Sequence, residues 1–89
     1  MDFLVEMGFK EVSSEGKHYH SLLIEDFTVI NVKPMELGPD TAGTHRLELV
    51  KNKDLLLSIS NIKYFRNKEE AQKHIDRILT GFKGIKNEL

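Results

Sequence analysis

The stretch Asn67-Lys68-Glu69-Glu70-Ala71-Gln72-Lys73-His74-Ile75-Asp76-Arg77-Ile78-Leu79-Thr80-Gly81-Phe82 decides how the rest of the chain is read. Asn67 is placed to cap a helix, and Glu70 follows three residues later, the spacing of a capping box. Ala71, Ile75, Ile78, Leu79 and Phe82 then fall on one side of a helical wheel, while Lys68, Gln72, Lys73, Asp76, Arg77 and Thr80 fall largely elsewhere. Glu69 precedes Lys73 by four residues in the favourable order. Gly81 is expected to end the helix in a left-handed conformation. A helix this short needs tertiary support, so its apolar face calls for a sheet to cover.

That sheet is sought upstream. Asp2 to Met7 reads as a short helix with Asp2 as its cap and Gly8 as its stop. Phe9–Ser13 reads as a strand, and Ser14-Glu15-Gly16 as a turn in which Gly16 supplies positive φ for a hairpin bulge. Lys17–Ile24 and Phe27–Lys33 follow as strands, joined at Glu25-Asp26, which lacks the Asn-Gly or Asp-Gly chemistry of a tight hairpin. One long bulged strand is the alternative there. Pro34–Gly43 is the long connection, with Pro34, Gly38, Pro39, Asp40 and Gly43 as punctuation. Arg46–Lys51 alternates, with Leu47 and Leu49 on one side. After a turn at Asn52-Lys53-Asp54, Leu55, Leu57 and Ile59 face one way and Leu56, Ser58 and Ser60 the other. Ile62, Tyr64 and Phe65 lead into the closing helix and are expected beneath it. The predicted fold is a single α+β domain over residues 1–89. It has two layers: an antiparallel meander of about five strands, with a short N-terminal and a long C-terminal helix on one face.

Composition narrows the function. The chain has 89 residues, no cysteine and a net charge of −1. The absence of cysteine excludes a disulfide framework and thiolate zinc sites, and fits a reducing compartment. Neither a leader nor a spanning apolar run is visible, so a cytoplasmic protein without membrane association is expected. Charge is uneven: residues 1–44 hold three Lys+Arg against eight Asp+Glu (−5), and residues 45–89 hold ten against six (+4). The basic residues Lys63, Arg66, Lys68, Lys73, Arg77, Lys83 and Lys86 form a stripe that Glu69, Glu70 and Asp76 interrupt. With a sequence pI near 6.4, nucleic-acid binding through the last helix is the second reading rather than the first.

No motif carries chemistry. His18 and His20 share a strand face, a spacing some metal sites use, but no third ligand or HExxH accompanies them, and no metal is expected. Gly38-Pro39-Asp40-Thr41-Ala42-Gly43 lacks the lysine and following helix of a phosphate loop. Gly81-Phe82-Lys83-Gly84 has the GXXG spacing of KH domains without their second helix. Ser58 and Ser60 have no predicted base, and no carboxylate pair is set up for acid–base work. An enzyme is not expected, nor a cofactor. The remaining reading is a protein-binding surface on the sheet face opposite the helix, formed by Tyr19, Leu23, Arg46, Glu48 and Leu56. Homodimerisation through that patch is the rival to a foreign partner.

Phe3–Phe9, a short apolar helix ending in Gly-Phe, then several strands, then Ile62-Lys63-Tyr64-Phe65 running into a helix that ends Leu79-Thr80-Gly81, resembles small, functionally unassigned proteins encoded by bacteriophages and mobile elements. The resemblance implies a non-enzymatic intracellular accessory, such as an inhibitor of a host or defence protein. It transfers no site residue.

Overall fold

The computed structural model describes residues 2–35, 44–63 and 65–87. In chain order the elements are α1 (Asp2–Glu6), β1 (Lys10–Ser14), β2 (Lys17–Glu25), β3 (Thr28–Met35), β4 (Thr44–Lys51), β5 (Asp54–Ile62) and α2 (Lys68–Asn87). The strands form one antiparallel sheet in the order β1-β2-β3-β4-β5, the predicted α+β meander. Residues 36–43, with the glycine-rich part of the long connection, lie outside the described residues, as does Tyr64.

The turns explain the meander. Glu15 (φ 53°) and Gly16 (φ 77°) both have positive φ, as do Asn52 (51°) and Lys53 (71°). That is the type I′ geometry whose twist matches the flanking strands. The first turn is thus a tight two-residue loop and not the expected bulged one. Between β2 and β3, Glu25 pairs with Thr28 and the two-residue loop is Asp26-Phe27. Phe27 stands at φ 59°, so the hairpin closes despite poor turn chemistry. Its carbonyl accepts the Asn52 N–H at 2.9 Å, which ties the two hairpin tips together.

α1 ends as a Schellman motif: Phe9 N–H donates to the Leu4 carbonyl and Gly8 N–H to the Val5 carbonyl, both at 3.0 Å, with Gly8 at φ 100°. Leu4 and Phe9, the apolar pair of that motif, are both buried. At α2 the Asn67 side chain accepts the Glu70 N–H at 2.9 Å, as a cap should. The Glu70 carboxylate reaches past the cap residue to Arg66, accepting its backbone N–H at 3.1 Å. Arg66 holds the Glu70 carboxyl below its usual range, chiefly through their side-chain hydrogen bond.

The core lies between α2 and the sheet. Ala71, Ile75, Ile78 and Phe82 are buried from the helix, and Ile30, Val32, Leu47 and Leu49 from β3 and β4. Leu57, Ile59 and Leu79 are partly buried against them. Phe65 fills the joint: it is buried, with ring centroids 6.0 Å from Phe3, 5.3 Å from His45 and 6.1 Å from His74.

The expectations for Gly81, Leu55 and Leu56 change. Gly81 does not end α2, which continues to Asn87. A Cβ at Gly81 would stand 2.8 Å from Leu57 Cδ1, so the glycine lets helix and sheet approach closely. Leu55 does not face α2. β5 carries an extra residue between Leu55↔Val50 and Leu57↔Leu49, which breaks the alternation. Leu55 is left 52% exposed, while Leu56 is half-buried against the core cluster. A second irregularity, between Leu47↔Ile59 and His45↔Ile62, contains Asn61 at φ 58°. Simple alternation from Ile59 would turn Ile62 outward, and the inserted residue returns it to the core, 4% exposed.

Two predictions test this packing. Gly84 has nothing within 4 Å of a built Cβ, so Gly84→Ala should raise unfolding free energy by about 0.5 kcal/mol. Gly81→Ala should gain less or lose stability, because Leu57 must move. Equal effects in urea titrations would show that α2 does not approach β5 as described. Ile78→Asp places a charge in the core, against a total stability of roughly 5–13 kcal/mol for a domain of this size. A near-parental melting curve for that variant would contradict the docking of α2.

Candidate functional site on the outer sheet face

α2 packs chiefly over β4 and β5, and α1 over β1. Register assigns the opposite face residue by residue. The pairs Leu23↔Val29, Val29↔Val50 and Val50↔Leu55 place four aliphatic side chains in one row across β2, β3, β4 and β5. Leu23 is 68% exposed. Phe27, 76% exposed, stands on the hairpin tip at the same end of the sheet.

The next rows are polar. Ser21↔Asn31, Asn31↔Glu48 and Glu48↔Ser58 form one, with Lys10 opposite Ser21. Val12↔Tyr19 and Lys33↔Arg46 belong to the other. Glu48 is buried between two cations, with Lys33 Nζ at 2.7 Å and Arg46 Nε at 3.6 Å. Lys33 Nζ also stands 5.1 Å from the centre of the Tyr19 ring, within cation–π range. Lys17, Tyr19, Lys33, Arg46 and Glu48 line a cleft of about 700 Å³.

Of the five residues predicted for this site, Tyr19, Arg46 and Glu48 meet in that cleft. Leu23 lies on the same face but in the aliphatic row. Leu56 does not join them, because the β5 irregularity leaves it against the core. Sequence reading missed Val29, Lys10, Lys17, Lys33 and Phe27. Only strand register brings the first four together. Phe27 left a trace in the sequence: an aromatic residue occupies a turn position that glycine would suit.

The helix-side face has its own cleft, of about 570 Å³, where β1 and β2 extend beyond α2. It brings His18 and His20 together with His45 and Glu11. His20 Nε2 lies 3.9 Å from the Glu11 carboxylate, too far for a hydrogen bond, and His20 Nε2 and His45 Nδ1 are buried without hydrogen-bond partners among the described residues. Burial lowers the pKa of both rings, and the nearby His20 charge lowers His45 further. Among the described residues no group of three ligating side chains could hold a metal ion.

The basic stripe of the last helix is partly neutralised: Lys68 pairs with Glu6, Lys86 with Glu25 at 3.0 Å, and Arg66 with Glu70. Gly81 and Gly84 lie within α2, so the GXXG spacing forms no loop. Among the described residues no helix is long and apolar enough to cross a membrane. The chain matches no family model, no curated protein and no solved structure.

The histidines make stability pH-dependent with a definite sign. Their folded pKa values lie below the ordinary 6.5, so below that value the unfolded chain takes up protons that the folded chain resists. Stability should be full above about pH 7 and fall as pH drops through 6.5 toward the folded values. Urea midpoints should decline between about pH 7.5 and pH 5.5, and a His20→Gln plus His45→Gln variant should decline less. Parallel profiles for parent and variant would refute the assignment.

Proposed function

We propose that the chain is a small, non-enzymatic protein-binding module whose binding surface is the outer sheet face. The observation that carries this reading is Phe27. A phenylalanine at φ 59° costs about 1 kcal/mol relative to glycine, and with 76% of its surface exposed the ring recovers little through burial. A strained, exposed aromatic beside an aliphatic row is a feature that binding explains and folding does not. Tyr19, Arg46 and Glu48 supply the polar side of the same surface. An inhibitor of a host or defence protein is the form of this function that the resemblance to phage and mobile-element proteins implies. Nucleic-acid binding through α2 is the weaker reading, since acidic partners occupy two of its cations, Lys68 and Lys86, and Glu69, Glu70 and Asp76 interrupt the rest.

Phe27→Gly should raise unfolding free energy by about 1 kcal/mol and weaken partner binding. A photoreactive phenylalanine analogue at position 27 should capture a discrete partner in cells, while the same analogue at Asp76 on α2 should not. A destabilised Phe27→Gly protein, or equal capture from both positions, would refute the proposal.

A further inference from the structure

Charge on the outer face selects the kind of partner, given the binding face proposed above. Register places Lys10, Lys17, Lys33 and Arg46 on that face, and the carboxylate among them, Glu48, is buried between Lys33 and Arg46. Lys10 and Lys17 are exposed; Glu15, in the turn before Lys17, adds one carboxylate at the rim of the cleft, so cations still outnumber carboxylates on this face. The chain as a whole is −1, so this face is a positive region on a slightly negative molecule. The two halves of the sequence give the opposite impression, because Lys10, Lys17 and Lys33 come from the acidic half.

We infer that the partner of this face is a foreign protein segment that is acidic and aliphatic. Its carboxylates would meet the Lys17–Lys33–Arg46 cleft, and its apolar side chains the Leu23–Val29–Val50–Leu55 row. A second copy is disfavoured by charge: an isologous dimer through this face brings two net-positive surfaces together, and like charges across an interface are repulsive. Nucleic acid fits less well. Single strands are held by stacking on successive aromatic faces, whereas here Phe27 stands at one hairpin tip, the row beside it is aliphatic and the Tyr19 ring already receives the Lys33 ammonium. Aliphatic side chains match aliphatic side chains, and carboxylates match the cations beside them.

The test uses the full chain, isotope-labelled, titrated with short peptides that alternate leucine with aspartate, with serine or with lysine, and with a short oligothymidylate. The aspartate peptide should move amide signals of β2, β3 and β4 residues on the outer face and leave exposed α2 residues unmoved. Its affinity should fall about tenfold in a Lys10→Glu plus Lys17→Glu variant and weaken as salt rises from about 50 to about 300 mM. Both lysines are exposed and the ion pairs of Glu48 are made by Lys33 and Arg46, so the variant should fold, which its melting curve checks; a Lys73→Glu variant on α2 should bind as the parent does. If the serine peptide binds the outer face as tightly as the aspartate peptide, the acidic preference is wrong while the binding face stands. Tighter binding of the oligothymidylate overturns the partner class. Concentration-dependent dimerisation through the face overturns the foreign partner. Signals that move only on α2, or with no probe at all, overturn both this inference and the reading on which it rests.

Discussion

The contact between α2 and the leucines of β4 and β5 is the constraint from which the rest of the fold follows. The sheet has two faces and one long helix. Once Ile75, Ile78 and Phe82 lie against Leu47 and Leu49, every strand is committed in register, because a slip of one residue would exchange its faces. Gly81 sets how closely this contact can be made. A side chain there would meet Leu57, so the C-terminal half of the helix sits as close to β5 as its backbone permits. Burial of each large aliphatic side chain contributes about 1.5–3 kcal/mol, which makes this layer the main source of stability in a small domain.

Among the described residues, the same constraint leaves the opposite face without a helix over it. The solvated face of an antiparallel sheet commonly carries polar residues, with single apolar side chains scattered among them. Here the rows differ. One is aliphatic across four strands, and the adjacent rows hold cations around a buried carboxylate. Glu48 has a structural part in this arrangement: with Lys33 and Arg46 closed around it, the two cations are held in fixed positions on the strands. Removing the carboxylate would free them, and removing either cation would leave a buried charge less well compensated.

Much of this was legible in the sequence, and the parts that were not share a physical cause. The cap at Asn67, the apolar stripe of α2, the Gly8 stop and the alternation of β4 are local patterns, and local patterns survive into the structure. Leu55 and Leu56 turn out other than expected because an inserted residue in β5 resets the alternation, and an insertion is defined by the partner strand as much as by its own sequence; Ile62 is buried as expected. Gly81 was read as a helix stop because glycine ends helices often; its actual role depends on Leu57, twenty-four residues away in the chain. Tyr19, Arg46 and Glu48 were grouped correctly from strand parity. Lys10, Lys17 and Lys33 were absent from the grouping because each is unremarkable alone and only pairing across β1 to β4 gathers them.

Phe27 joins these strands of reasoning. A hairpin between β2 and β3 could have been closed by glycine at that position, as Gly16 takes the second position of the turn before it. The chain instead holds an aromatic ring at positive φ, out in solvent, at the end of the sheet where the aliphatic row begins. The Asn52 hydrogen bond to its carbonyl anchors that tip to the β4–β5 turn, so the strained backbone is supported from a neighbouring hairpin. Backbone strain held in place from outside, with no burial to repay it, is characteristic of surfaces that act on other molecules. In the reading proposed above, the cations of the adjacent rows oppose pairing of two such faces and favour a partner of opposite charge.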